Sequence, residues 1–265
     1  ATAAASTCGR LRGDSLLDMV YSVRLQWRMA KVYAVHHAGR ASRKDTMTTD
    51  RRLALWAGIL YLATFVTSIP ALALKTPLLS GEPEPALAAW GVVLEITLAF
   101  TCVGTAVAIL PIARRVSETF AVGFVTSRVV EAGVILSGAL VVLALIEVGG
   151  DSPAAPALVE LHDAAFLLGP AFMSSINAFL LGTIMLRGRL VPRIIPIVGL
   201  IGAPMLLLSS YGVVLGLWEQ TGPVGSIAAL PIALWEFSLG VWLIVKGVRV
   251  PEPAVENGPV QRSYA

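Results

Sequence analysis

The chain has 265 residues, 56% of them hydrophobic and only 14% charged, with a formal net charge of +3. Ordinary soluble domains are nearer a quarter charged, so this composition points to a membrane protein. Cys8 and Cys102 stand alone, which excludes a CxxC redox pair or a zinc site built mainly on cysteine, and no disulfide is expected between them.

Residues 1–46 differ from the rest. They hold eight Lys or Arg against three Asp, and so account for the positive excess of the chain. Two readings stand. SLLDMVYSVRLQWRMAKVYA (15–34) has Arg24, Arg28 and Lys31 on one face, as a helix lying on a lipid surface would. Alternatively, the segment is an over-extended gene start, and Met47 before TTDRRLALWAGILYL is the natural beginning.

From there, apolar windows long enough to cross a bilayer, roughly 20 residues each, recur at 53–74, 87–111, 119–146, 161–185, 194–216 and 226–246. No alternating ten-residue segments recur, which argues against a β-barrel. Arg51 and Arg52, Arg114 and Arg115, then Arg187, Arg189 and Arg193, and finally Lys246 and Arg249 fall on every second connection. The other connections hold Lys75, Glu82 and Glu84, then Asp151, Glu160 and Asp163, then Glu219. The positive-inside rule then gives an all-α, multi-pass bundle of six transmembrane helices with both termini cytoplasmic, in the inner membrane of a cell. The domain spans 47–249, and 250–265 reads as a disordered tail. Short connections predict antiparallel neighbours. Gly212 and Gly216, at GxxxG spacing, permit close helix contact and a homo-oligomer. Trp56, Trp90, Trp218 and Trp242 lie toward span ends and read as interface anchors. Trp235 is either packing or a wall of a polar site.

Four ionisable residues fall well inside these windows: Glu95, Arg128, Glu131 and Glu236. Each costs a few kcal/mol at the bilayer centre. At about 1.5 Å rise per residue they lie roughly 12–18 Å from the nearer counted end of their spans, all near the midplane. Glu95 shares a helical stripe with Gly91, Ala99, Cys102 and Ala106, and Glu236 with Ala229, Ala233 and Gly240. Glu131 lines up with Ser127 and Gly138. Small residues mark packing faces in membranes, and large ones (Leu94, Ile96, Phe237, Leu239) are expected on the opposite side. All three carboxylates should therefore point into the bundle, where Arg128 reaches at least one. Asn177, and the carbonyl at position 227 freed by Pro231, are further polar groups for this layer. Three carboxylates against one guanidinium sum to −2, so the layer needs protons or a cation.

LEITLAF (94–100), SRVVEAGVILSGAL (127–140), AFLLGPAF (165–172), RGRLVPR (187–193) and LPIALWEFSLGVWLIVKG (230–247) occur in order across most of the membrane portion. In these pieces the chain resembles a bacterial family catalogued as domain of unknown function 4386. The resemblance implies a six-helix membrane protein and no particular activity.

No HExxH, GxSxG or GxxxxGK[ST] motif is present, so no catalytic residue, cofactor or metal is expected. The positive charge lies in residues 1–46, which argues against nucleic acid as a partner. Membrane lipid is the expected partner, with a small polar ligand or cation besides. Glu95, Arg128, Glu131, Glu236 and Asn177 form the candidate site for a proton, a cation or a small polar ligand, in a carrier or sensor. A non-catalytic scaffold, whose polar layer only fixes helix packing, is the alternative. An intramembrane enzyme stands further behind. His162 and Asp163 open the fourth window, either as a point of proton entry or as an ordinary interfacial pair.

Overall fold

A computed structural model describes residues 49–249. The readings made for 1–46 and for the tail lie outside the described residues. Among the described residues there is no strand, and six helices are long and apolar enough to cross a membrane. They are α1 (Thr49–Leu79), α2 (Pro85–Ala113), α3 (Glu118–Val148), α4 (Ala155–Arg187), α5 (Ile194–Val214) and α6 (Pro223–Val245). Each matches one expected window. The largest differences are α4, which begins at Ala155 instead of near 161, and α1, which runs on to Leu79 instead of ending near 74 and so carries Lys75 into the helix.

Local chemistry sets the ends. Pro85 and Pro223 open α2 and α6, where the missing N–H would have had no partner anyway. Ser117 caps α3, its Oγ accepting from the Phe120 amide at 3.4 Å. Pro111, Pro204 and Pro231 lie inside helices that continue through them.

From α2 to α6 consecutive helices pack on one another, α4 also reaches α2 and α6, and α1 meets α2 at Gly91 and Gly104. The circuit closes where α1 meets α6. A Cβ on Gly58 would stand 2.7 Å from the Gly240 carbonyl oxygen, so the two backbones approach as only glycine allows. Small residues line the interior, among them Ala54, Ala57, Ala88, Ala106 and Ala178. Large apolar ones such as Trp56, Val66, Trp90, Phe100, Leu140 and Leu208 face outward. That inverted pattern suits a bundle solvated by lipid.

The connections sort into two ends. One end is basic: Arg115 bonds both Asp50 carboxylate oxygens, at 2.7 and 2.5 Å, and Asp50 lifts the guanidinium further above its usual range. At the same end Arg51 donates to the carbonyls of Leu243 and Ile244, satisfying the last turn of α6. The opposite end carries Glu82, Glu84, Asp151 and Glu219.

Two expectations are corrected and one alternative is resolved. Gly212 packs under the Trp218 indole, whose Nε1 donates to the Ser209 carbonyl, and Gly216 lies beyond α5 at φ +69°. The pair is thus a helix terminus folded back on itself rather than a GxxxG face. Trp235 is fully buried against Gly199 and is packing, not a wall of the polar site. Leu239 does not fall away from the packing face: it is fully buried in the apolar core.

Candidate functional site

Arg128 is buried about a third of the way along α3. Its Nη1 donates to Glu131 Oε2 one turn later at 2.8 Å, and its Nη2 to Glu236 Oε1 on α6 at 3.0 Å. Nη1 also lies 3.6 Å from the Cys102 sulfur on α2. The guanidinium sits 5.3 Å from the ring centre of Tyr61 on α1 and 5.8 Å from that of Phe124. Aromatic faces add attraction for a cation held out of water. From α4, Ser174 Oγ donates to Glu131 Oε1 at 3.1 Å and Asn177 Nδ2 to Oε2 at 2.8 Å. Glu131 therefore has partners on both oxygens. Glu236 has the single bond to Arg128, and its side chain is 15% exposed.

Glu95 does not join Arg128. It pairs with Lys75 from α1, whose side chain is 1% exposed. The Lys75 Nζ also lies 3.0 Å from Nε2 of His162, and His162 Nδ1 lies 3.0 Å from Asp163 Oδ1. The imidazole is buried and stacks on Phe166 one turn along α4. Glu95 Oε2 is buried with no hydrogen-bond partner, as are Arg128 Nε and Asn177 Oδ1.

Glu95, Arg128, Glu131 and Glu236 nevertheless line one cavity of about 250 Å³, with Thr64 and Ser68 of α1 and Ser174 as the other polar lining. Most of its remaining lining is apolar, including Phe65, Leu72, Leu98, Ile135 and Phe166. A larger vestibule of about 750 Å³ toward the acidic end is lined by Glu160, Asp163 and Glu219, and by no Lys or Arg. Leu72 and Phe166 border both spaces.

The inward stripe of α4 depends on an irregularity. Leu167–Met173 is a π-helical stretch with Pro170 inside it. In a regular α-helix, residues 162 and 174 would point about 120° apart. The wider π turn brings His162 and Ser174 to the same interior, and such turns recur at functional sites.

The structure brings the four charged residues expected from the sequence around one cavity. Lys75, expected in a connection, lies inside α1, and His162, open between two readings, is buried on α4. Neither lines the cavity, but Lys75 pairs with Glu95 and lies 3.0 Å from His162, so that with every group ionised the formal charge sum becomes −1 rather than −2. Asn177 supports Glu131 and does not line the cavity. Position 227 is likewise absent from the lining, and Ile227 is exposed on the outside. Among the described residues no group of His, Cys, Asp and Glu has an arrangement that could hold a metal ion.

Comparison with known families gives one finding. The family model described as domain of unknown function (DUF4386) matches residues 56–247, well over half of the chain, and the chain belongs to that family. No curated protein and no solved structure matches it. With six helices of spanning length and composition, it is a multi-pass membrane protein.

Proposed function

We infer that this six-helix member of the family binds a small monovalent cation, foremost a primary ammonium, in the cavity beside Glu95 and Glu236, and acts as a carrier or sensor for it. The observation that carries this reading is the unbalanced charge. With all of them ionised, Glu95, Glu131 and Glu236 outnumber Lys75 and Arg128 by one negative charge beside a largely apolar cavity, which calls for a proton or a cation. A buried excess charge is costly unless paired. Its free acceptors are Glu95 Oε2 and the second oxygen of Glu236. At about 250 Å³ the space lies below the range of drug-sized ligands, about 300–1,000 Å³. The ligand is therefore a few heavy atoms with a short apolar part. The acidic vestibule supports the same sign of charge, because a cleft of one sign concentrates its counter-ion. By the positive-inside rule the basic end is cytoplasmic and the vestibule opens outside, in the inner membrane.

The experiment is calorimetric titration of the solubilised protein with propylammonium. Binding is expected, and Glu236→Gln and Glu95→Gln should each weaken it at least about tenfold, a loss of about 1.4 kcal/mol. Uptake into proteoliposomes then separates a carrier from a sensor.

A scaffold reading draws on a different observation. Arg128, Glu131, Ser174 and Asn177 tie α3 to α4 by bonds wholly inside the protein. If propylammonium does not bind, or binds equally well to Glu236→Gln, the layer serves packing alone.

A further inference from the structure

We propose that Asp163, His162 and Lys75 form a proton path between the acidic end of the bundle and the cavity carboxyls, with the His162 ring as its exchange point. The proposal goes beyond the cation site, because it rests on a chain of contacts and needs no ligand.

Each link is within hydrogen-bonding distance. Asp163 has a side chain 63% exposed and lines the vestibule. His162 Nδ1 lies 3.0 Å from its Oδ1, Lys75 Nζ lies 3.0 Å from Nε2, and Lys75 pairs with Glu95, which lines the cavity. The donors fix the tautomer. The Lys75 ammonium has only donors, so Nε2 accepts, Nδ1 carries the hydrogen, and the Asp163 carboxylate accepts from it. The stack on Phe166 holds the ring in that plane.

An outward transfer begins when a Lys75 proton moves onto Nε2 and makes the ring an imidazolium; the Nδ1–H bond then breaks and gives its proton to Asp163, and thence to water. A protonated cavity carboxyl restores the Lys75 ammonium. No electrons move, and one proton leaves the cavity for each one delivered outside. The ring is then left with its hydrogen on Nε2, and the reverse transfer from Asp163 returns it to the starting tautomer. Such a path suits alternate loading and unloading of one carboxyl, because each outward step sets the ring for an inward one.

The charged groups around the ring are Lys75 from α1, Glu95 from α2 and Asp163 from α4, with Glu160 and Glu219 across the vestibule. From α3 the neighbours are Val134, Ile135 and Gly138, none of them titratable. No other group in this set offers both a donor and an acceptor nitrogen to bridge Asp163 and Lys75.

The test is a pH jump on the full chain in proteoliposomes, followed by infrared absorption at the carboxyl C=O stretch. Glu95→Gln and Glu236→Gln assign the band. Acidification should raise the band in the wild type. His162→Gln and Asp163→Asn should reach the same amplitude at least tenfold more slowly. Asp163 is exposed, so its substitution leaves packing intact. In His162→Ala, added imidazole should restore the rate, which no packing role for the ring would explain. Unchanged rates in both His162→Gln and Asp163→Asn, or no carboxyl band in the wild type, overturn the path. Propylammonium binding is scored separately, so the loss of either inference leaves the other standing.

Discussion

Arg128 holds two carboxylates at once, and that decides what each acid can contribute. Glu131 spends both oxygens on Arg128, Asn177 and Ser174, whereas Glu236 keeps one free. Replacing Arg128 by Met strands both acids in a buried setting, and breaking a buried pair by removing one partner costs about 3–5 kcal/mol. A marked drop in the thermal unfolding temperature in detergent is expected, and Arg128→Met with Glu131→Gln should recover part of it. Glu236→Gln keeps a hydrogen-bonding oxygen toward Arg128 and should shift stability by no more than about 1 kcal/mol, although it weakens cation binding. A large loss of stability in Glu236→Gln would make it a structural residue. These four charges were legible because nothing in lipid excuses a charge at mid-span. Lys75 was not, since ALALKTPLLSGEP reads as a span running out into a loop. The signal was there in spacing: Thr64, Thr67, Ala71, Lys75 and Leu78 form one buried stripe three or four residues apart. Window hydropathy averages that periodicity away.

At the scale of the helix, the α4 irregularity and the α1–α2 contact place the polar groups. The π stretch acts as one residue too many, and its effect is geometric. Removing Leu168, which is half exposed, would let α4 run as a regular helix. Positions 162 and 174 would then be one residue closer and about 20° apart, so both faces keep their register. The variant should fold and melt close to the wild type. The wall made by Phe166 and Pro170 changes, however, and propylammonium binding should fall at least tenfold. Unaltered binding would mean that the π turn does not shape the cavity. Gly91 performs the comparable service for Lys75. A Cβ there would stand 2.6 Å from Lys75 Cγ and 3.0 Å from the Ala71 carbonyl oxygen. Gly91→Ala must push α1 and α2 apart or displace the lysine, at about 1–3 kcal/mol, read as a lowered unfolding temperature. The small-residue stripe through Gly91 and Glu95 was legible in the sequence. That it makes room for a lysine on α1 was not, because the partner across a helix interface has no mark in the stripe itself.

For the whole molecule, the two ends differ in charge, and the positive-inside rule makes this asymmetry a prediction of which compartment the cavity samples. Arg51, Arg114, Arg115, Arg189 and Arg193 gather at one end, while the vestibule with Glu160, Asp163 and Glu219 opens toward the other. During insertion, basic connections are retained on the cytoplasmic side and acidic ones count for little. The positive-inside rule therefore predicts that the same charges turn the acidic vestibule outward. Labelling single cysteines tests this in a background with Cys8 and the buried Cys102 replaced. Ala154 lies in the connection between α3 and α4, and Glu118 at the start of α3, and both are exposed. In intact cells a membrane-impermeant maleimide should label Ala154→Cys and leave Glu118→Cys untouched until the membrane is permeabilised. The reverse pattern would turn the vestibule inward, so that the cavity would draw its cation, and Asp163 its proton, from the cytoplasm. The contacts around Arg128 and Lys75 would stand unchanged in that case. Orientation is a property of the connections, and the contacts around the polar cavity are indifferent to it.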